Sequence, residues 1–185
     1  MSEYSHSYCQ FSLSKPLDDV NRVYHDTQYG FPIYDDHELF GRLILEIFQA
    51  GLSWTLILNK QQNFRDAFDE FDIEVIASYT DYDRERLQKD SGIVRNKLKI
   101  NAVIYNASVI IDLQKECGSF KNWLDSNHPL DKAAWVKLFK KTFKFTGGEI
   151  TNEFLMSTGY LPGTHGEDCP VFHEIAKHNP KWMQQ

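Results

Sequence analysis

The chain has 185 residues, 42% hydrophobic and 14% aromatic, enough to bury a core and too apolar for an intrinsically disordered chain. A net charge of −6 argues against uniform attraction to nucleic acid, and three cysteines are too few and too uneven for a disulfide framework. No apolar run approaches the ~18 residues of a membrane span, and the opening MSEYSHSYCQF lacks the basic-then-apolar order of a secretory signal, so an intracellular protein of the cytoplasm is expected.

In chain order, Cys9 comes first, then a short helix-like stretch ending in VYHDTQYG, which carries His25. DDHELFGRLILEIFQAG places Leu39, Phe40, Leu43, Ile44, Ile47 and Phe48 at helical spacing, with Asp35 or Asp36 as a cap and Gly51 as the stop. SWTLILNKQQNFRDAFDEF reads as a second helix opening at Ser53. DIEVIASY is short and begins at a capping Asp72. NKLKINAVIYNASVIIDLQKECG is a long helix ending at Gly118. SFKNWLDSN, DKAAWVKLFKKTF and GGEITNEFLMSTG follow as helices. No period-2 alternation supports a sheet. The two chain ends read as less regular, and GTHGEDC near the C-terminus holds His165 and Cys169.

Charge is unevenly distributed. Residues 1–90 hold 8 basic against 17 acidic side chains, whereas residues 91–144 hold 10 against 4. The second window is either a localised anion-binding face or a solvated helix surface.

Cysteine and histidine are good zinc ligands, and a closed tetrahedral site needs four. The pairs Cys9/His25 and His165/Cys169 make a Cys2His2 set about 140 residues apart. Spacing alone leaves this beside a plainer alternative, small buried cysteines and surface histidines. Glu46 lies among Leu43, Ile44, Leu45, Ile47 and Phe48, where an unpaired charge is expensive to bury. It either faces solvent or lines a pocket.

Three segments decide further. YHDTQYGFPIYDDHELFGRLILEIFQAGLSW, SGIVRNKLKINAVIYNA and FKFTGGEITNEFLMSTGYLPGTHGEDC together resemble the DNA-3-methyladenine glycosylase I family in order and spacing. The resemblance spans about Cys9 to Cys169. It implies an all-α, helix-hairpin-helix glycosylase fold whose N- and C-terminal segments are joined by a structural zinc site at Cys9, His25, His165 and Cys169. It implies a single domain over residues 1–185, with zinc-stapled termini at 1–30 and 160–185 and a helical core at 31–159. The implied activity is hydrolysis of the N-glycosidic bond of 3-methyladenine in alkylated double-stranded DNA by base flipping, by a monofunctional, monomeric enzyme. Glu46 matches the family's pocket glutamate, taken as the catalytic residue. Tyr24 and Trp54 match pocket aromatics, and Phe11 and Tyr29 stand where the family tends to have tryptophan. Ile47 replaces a glycine that tends to follow the pocket glutamate. A non-catalytic zinc-containing DNA-binding relative, or a glycosylase of altered base preference, is the alternative.

For the DNA face, Gly92 in DSGIVRNK is expected to form a tight turn with positive φ, followed by a helix offering backbone N–H groups to a phosphate. Arg95, Lys97 and Lys99 surround it. Leu52, at the turn after Gly51, is the candidate wedge that fills the space of the flipped nucleotide.

Overall fold

The computed structural model describes residues 3–184. Among the described residues there are twelve α-helices, two short 3-10 turns and no strand. The helices are α1 (Glu3–Leu13), α2 (Val20–Thr27), α3 (Asp36–Gln49), α4 (Trp54–Asn59), α5 (Gln61–Ala67) and α6 (Ile73–Ala77). They continue with α7 (Asp81–Lys89), α8 (Lys97–Cys117), α9 (Phe120–Asn127), α10 (Lys132–Thr142), α11 (Gly148–Ser157) and α12 (Pro170–Lys177). No described helix is long and apolar enough to cross a membrane.

Side-chain caps start these helices where the sequence places them. Asp35 accepts from the Glu38 N–H, Ser53 from Leu56 and Asp72 from Val75. Each such cap contributes about 1 kcal/mol. The central element is α3, whose residues from Leu39 to Phe48 are all buried. It packs against α8, α9 and α11, and the main core extends through α5, α6 and α10. A second, small cluster joins Cys9, Cys169, Val171 and Ile175, with Leu13, Phe31 and Phe172 at its margin.

Two sequence expectations need correction, and one helix has no counterpart in the sequence reading. The stretch 54–71 is not one helix. It breaks at Lys60 (φ −105°, ψ 3°), and Asp69, Glu70 and Phe71 turn left-handed with φ of 47°, 57° and 63°. The reason is tertiary: the turn drives Phe71 into the core, where its ring lies on Gly41 of α3 and would collide with any Cβ there. Helix α7 escapes the periodic pattern because Leu87 is its one buried residue. The chain ends are helical, not irregular: α1 and α12 both form, and Pro170 occupies the start of α12, where its missing N–H costs nothing.

Candidate functional site

Helices α1, α2, α3, α4 and α11 enclose a cavity of about 250 Å³. Its lining is Tyr8, Tyr24, Tyr29, Glu46, Gln49, Trp54, Glu153, Met156 and Gly163. A wider depression of about 690 Å³ beside α5 and α7 is lined by surface groups such as Tyr82, Glu85, Arg86 and Lys89, without a buried aromatic wall. The smaller cavity has the better chemistry for a flat ring. Tyr8 meets Tyr29 edge-on at 5.4 Å, Tyr29 lies 5.5 Å from Tyr24, and Tyr24 meets Trp54 edge-on at 5.1 Å. Four π systems therefore form a continuous wall.

Glu46 is 4% exposed. Burial, then the nearby Glu153 charge, push its carboxyl up to about 8, against the opposing pull of Arg42. Arg42 sits one helical turn earlier on α3, is buried, and donates from Nη1 to the Tyr24 hydroxyl at 2.9 Å. The Tyr29 hydroxyl donates to Glu153 Oε2 at 3.3 Å. Trp54 Nε1–H is shielded from solvent and has no acceptor within the protein.

Beside this cavity, Cys9, His25, His165 and Cys169 are all buried, with one donor atom from each within 4.8 Å of the others. Cys9 Sγ lies 3.6 Å from His165 Nδ1, and Cys169 Sγ lies 3.5 Å from His165 Nδ1 and 3.6 Å from His25 Nε2. A tetrahedral metal at 2.3 Å from sulfur and ~2.0 Å from nitrogen would set sulfur–nitrogen edges at about 3.5 Å. The four groups could thus hold a metal ion. The far nitrogens fit as well. His25 Nδ1 faces Asp26 Oδ1 at 2.7 Å, and His165 Nε2 faces the Tyr29 carbonyl at 2.9 Å. A carboxylate and a carbonyl can only accept, so those nitrogens carry the protons and Nε2 of His25 and Nδ1 of His165 are left for ligation. Burial pushes the Cys9 thiol up to about 12 and the His165 imidazole down to about 4. A neutral imidazole suits ligation, while a thiolate there needs a cation.

The cluster and the cavity are built from the same short segments. Cys9 follows Tyr8, His25 follows Tyr24, and His165 lies two residues after Gly163. The Tyr29 carbonyl serves His165 while its ring lines the cavity.

The other residues singled out from sequence fall as follows. Tyr24, Tyr29, Glu46 and Trp54 converge on the cavity. Phe11 does not: it is 43% exposed, and Tyr8 lines the cavity instead. With Cys9 turned inward, a residue two further along the helix points about 200° away. Leu52 is 36% exposed on the turn after Gly51, whose φ of 85° explains the glycine. Gln49 of the cavity lining donates to the Leu52 carbonyl at 2.8 Å and steadies that turn.

The hairpin between α7 and α8 differs from expectation at three points. Gly92 lacks a positive φ; its small size matters because Asp90 Oδ1 would crowd a Cβ and Asp90 takes the Gly92 N–H at 2.7 Å. The Leu98 and Lys99 N–H groups are capped by Asn96 and not open to a phosphate. Lys99 is buried, and its ammonium donates to the carbonyls of Phe48 at 3.0 Å and Ala50 at 2.7 Å. It docks the start of α8 onto the end of α3. Arg95 and Lys97 remain exposed on that edge.

Sequence reasoning missed Tyr8, Arg42, Gln49 and Glu153. The available signal was charge out of pattern: Arg42 lies four residues before Glu46 on an apolar helix, and Glu153 directly precedes Phe154 and Leu155.

A family profile described as methyladenine glycosylase matches residues 14–134. The DNA-3-methyladenine glycosylase of Haemophilus influenzae is 34% identical over 167 residues, covering 80% of this chain and 89% of that protein. DNA-3-methyladenine glycosylase 1 of Escherichia coli is 33% identical over 166 residues, covering 80% and 88%. The solved structure of 3-methyladenine DNA glycosylase I from Staphylococcus aureus superposes with a TM-score of 0.77 at 30% identity, covering 90% of this chain and 97% of that one. A complex of a variant 3-methyladenine DNA glycosylase I with 3-methyladenine gives the same TM-score at 30% identity, covering 89% and 97%. With identity at this level over most of its length and the all-helical fold in common, the chain belongs to the methyladenine glycosylase family.

Proposed function

We propose that this protein hydrolyses the N-glycosidic bond holding 3-methyladenine in alkylated DNA. The observation that carries the reading is the aromatic-walled cavity with the buried carboxylate of Glu46 in its lining. An enzyme that acts on a base in a duplex must extrude it and hold it by stacking and edge contacts. Methylation at N3 makes the base cationic, so π faces and a carboxylate favour it. It is already a good leaving group. Binding the flipped base and stabilising positive charge on the sugar then suffice, with water as the nucleophile. None of the residues lining the cavity is a lysine, in keeping with a monofunctional enzyme.

The four Cys and His donors hold a structural zinc in this reading. Four protein ligands close the coordination sphere, and the ion supplies rigidity, not chemistry. The chain is one domain, its ends at 1–30 and 160–185 stapled beside the core. Chromatography of bases released from methylated duplex DNA tests the activity; no 3-methyladenine released would leave the non-catalytic DNA-binding alternative.

The DNA face joins the Leu52 turn to the hairpin before α8, which Lys99 holds side by side. Arg95 and Lys97 contact phosphates there. Charge reversal at both is expected to weaken binding to any duplex similarly. It should also flatten the plot of log affinity against log salt by about 2. An unchanged slope would move the DNA face elsewhere.

Leu52 acts as the wedge. Leu52→Ala is expected to lower base release from duplex DNA while leaving the melting temperature nearly unchanged. A leucine packed in the core would instead cost roughly 2–5 kcal/mol on the same substitution. A large fall in melting temperature would therefore refute the wedge.

A further inference from the structure

Two carboxylates line the cavity, Glu46 on α3 and Glu153 on α11. A recognition site for one flat base needs no second acid merely to stack it. Arg42 explains the need. Its guanidinium is buried one turn from Glu46 on the same helix, lies 4.9 Å over the Tyr24 ring, and is the positive group that acts on Glu46. One guanidinium beside one carboxylate leaves no net charge with which to tell a cationic base from a neutral one. With Glu153 ionised as well, the surroundings of the cavity carry one negative charge in excess, which matches a singly charged purinium.

We propose that Glu153 is the residue that makes this cavity select a cationic base, because Arg42 offsets the charge of Glu46. This inference rests on the base-releasing function proposed above. Glu153 reaches its position through partners that do not neutralise it: the Tyr29 hydroxyl at 3.3 Å and Asn152 Nδ2 at 3.4 Å. Both bonds are long, which leaves acceptor capacity for a donor on the bound base. Burial raises the Glu153 carboxyl above its usual range, and Glu153 in turn helps to raise Glu46. Two acids that resist joint ionisation in an empty cavity are relieved by an incoming cation.

The test reads charge preference on free bases, apart from catalysis. Calorimetry compares adeninium methylated on both N3 and N9, which is permanently cationic, with neutral 3-methyladenine. The wild type is expected to prefer the cation. Glu153→Gln keeps the shape and an acceptor for Tyr29, and should reduce that preference roughly tenfold, as expected for loss of one charge in a partly desolvated site. Glu153→Asp should retain most of it. Glu149→Gln removes the same charge from an exposed position earlier on α11 and should leave it unchanged. A role for Glu153 in merely holding Tyr29 would leave the preference intact in Glu153→Gln, which keeps the acceptor, and lower both affinities together in the shorter Glu153→Asp, and that result overturns the inference. So does a wild type with no preference for the cation. Release of 3-methyladenine from methylated DNA by the wild type is scored separately. Its absence would sink the functional reading, whereas release with an unaltered preference in Glu153→Gln would sink only the role of Glu153.

Discussion

Glu46→Gln is expected to lower release of 3-methyladenine from alkylated DNA by roughly 10- to 150-fold, with folding and metal content retained. The substitution keeps the shape and an acceptor but removes a charge, and a charge-assisted contact is worth ~1.5–3 kcal/mol. The loss should be larger for the cationic lesion than for a neutral base. The pH profile offers a second check. The Glu46 carboxyl stands at about 8, raised by burial first and by Glu153 second. If the ionised form binds the lesion, kcat/KM of the wild type rises with pH and levels off above about 8, because it reports the free enzyme. Glu46→Gln should lose that limb.

Stability moves in the opposite sense. The folded carboxyl is raised above its ordinary 4.5, so the folded state binds more protons than the unfolded one between 4.5 and about 8. This contribution is complete below pH 4.5 and is lost as pH rises through about 8. Glu46→Gln should therefore melt higher than the wild type at pH 9 and gain less at pH 5. A Gln variant with wild-type activity would remove Glu46 from the site.

Cys169→Ser is expected to have the largest effect on stability. A structural zinc with four protein ligands contributes ~10–16 kcal/mol of apparent binding free energy, comparable with the whole stability of a domain. The damage should be local at first, because Cys9, Cys169, Val171 and Ile175 form a cluster separate from the main core. Hydrogen exchange should show α1 and α12 losing protection well before α3 and α8. Stability and chemistry should then fall together, since Tyr8 and Tyr24 adjoin Cys9 and His25 in the chain and the Tyr29 carbonyl meets His165. Elemental analysis of the purified wild type should find one zinc per chain. Absence of metal, or a Cys169→Ser protein with unchanged melting and activity, would refute the structural-zinc proposal.

Periodicity and caps made α3 and α8 legible, because a helix records its buried face in its own residues. The Cys2His2 set was legible because few side chains can serve as soft metal donors. Glu46 stood out because a carboxylate inside an apolar helix must have a reason to be there. These are local facts. What the residues could not show is how one helix is turned against another. Phe11 and Tyr8 are both aromatic residues of α1, and the docking of Cys9 beside α12 selects Tyr8 for the cavity. Lys99 reads as a surface cation until carbonyls from Phe48 and Ala50, about fifty residues away, take its ammonium. Glu46 and Glu153 come from α3 and α11, far apart in the chain, and line one cavity through packing alone, with Arg42 acting on Glu46 from the same helix. A side chain's direction about its own helix is set locally, but whether a charge is solvated, neutralised or aimed at a substrate depends on which distant groups the core brings beside it.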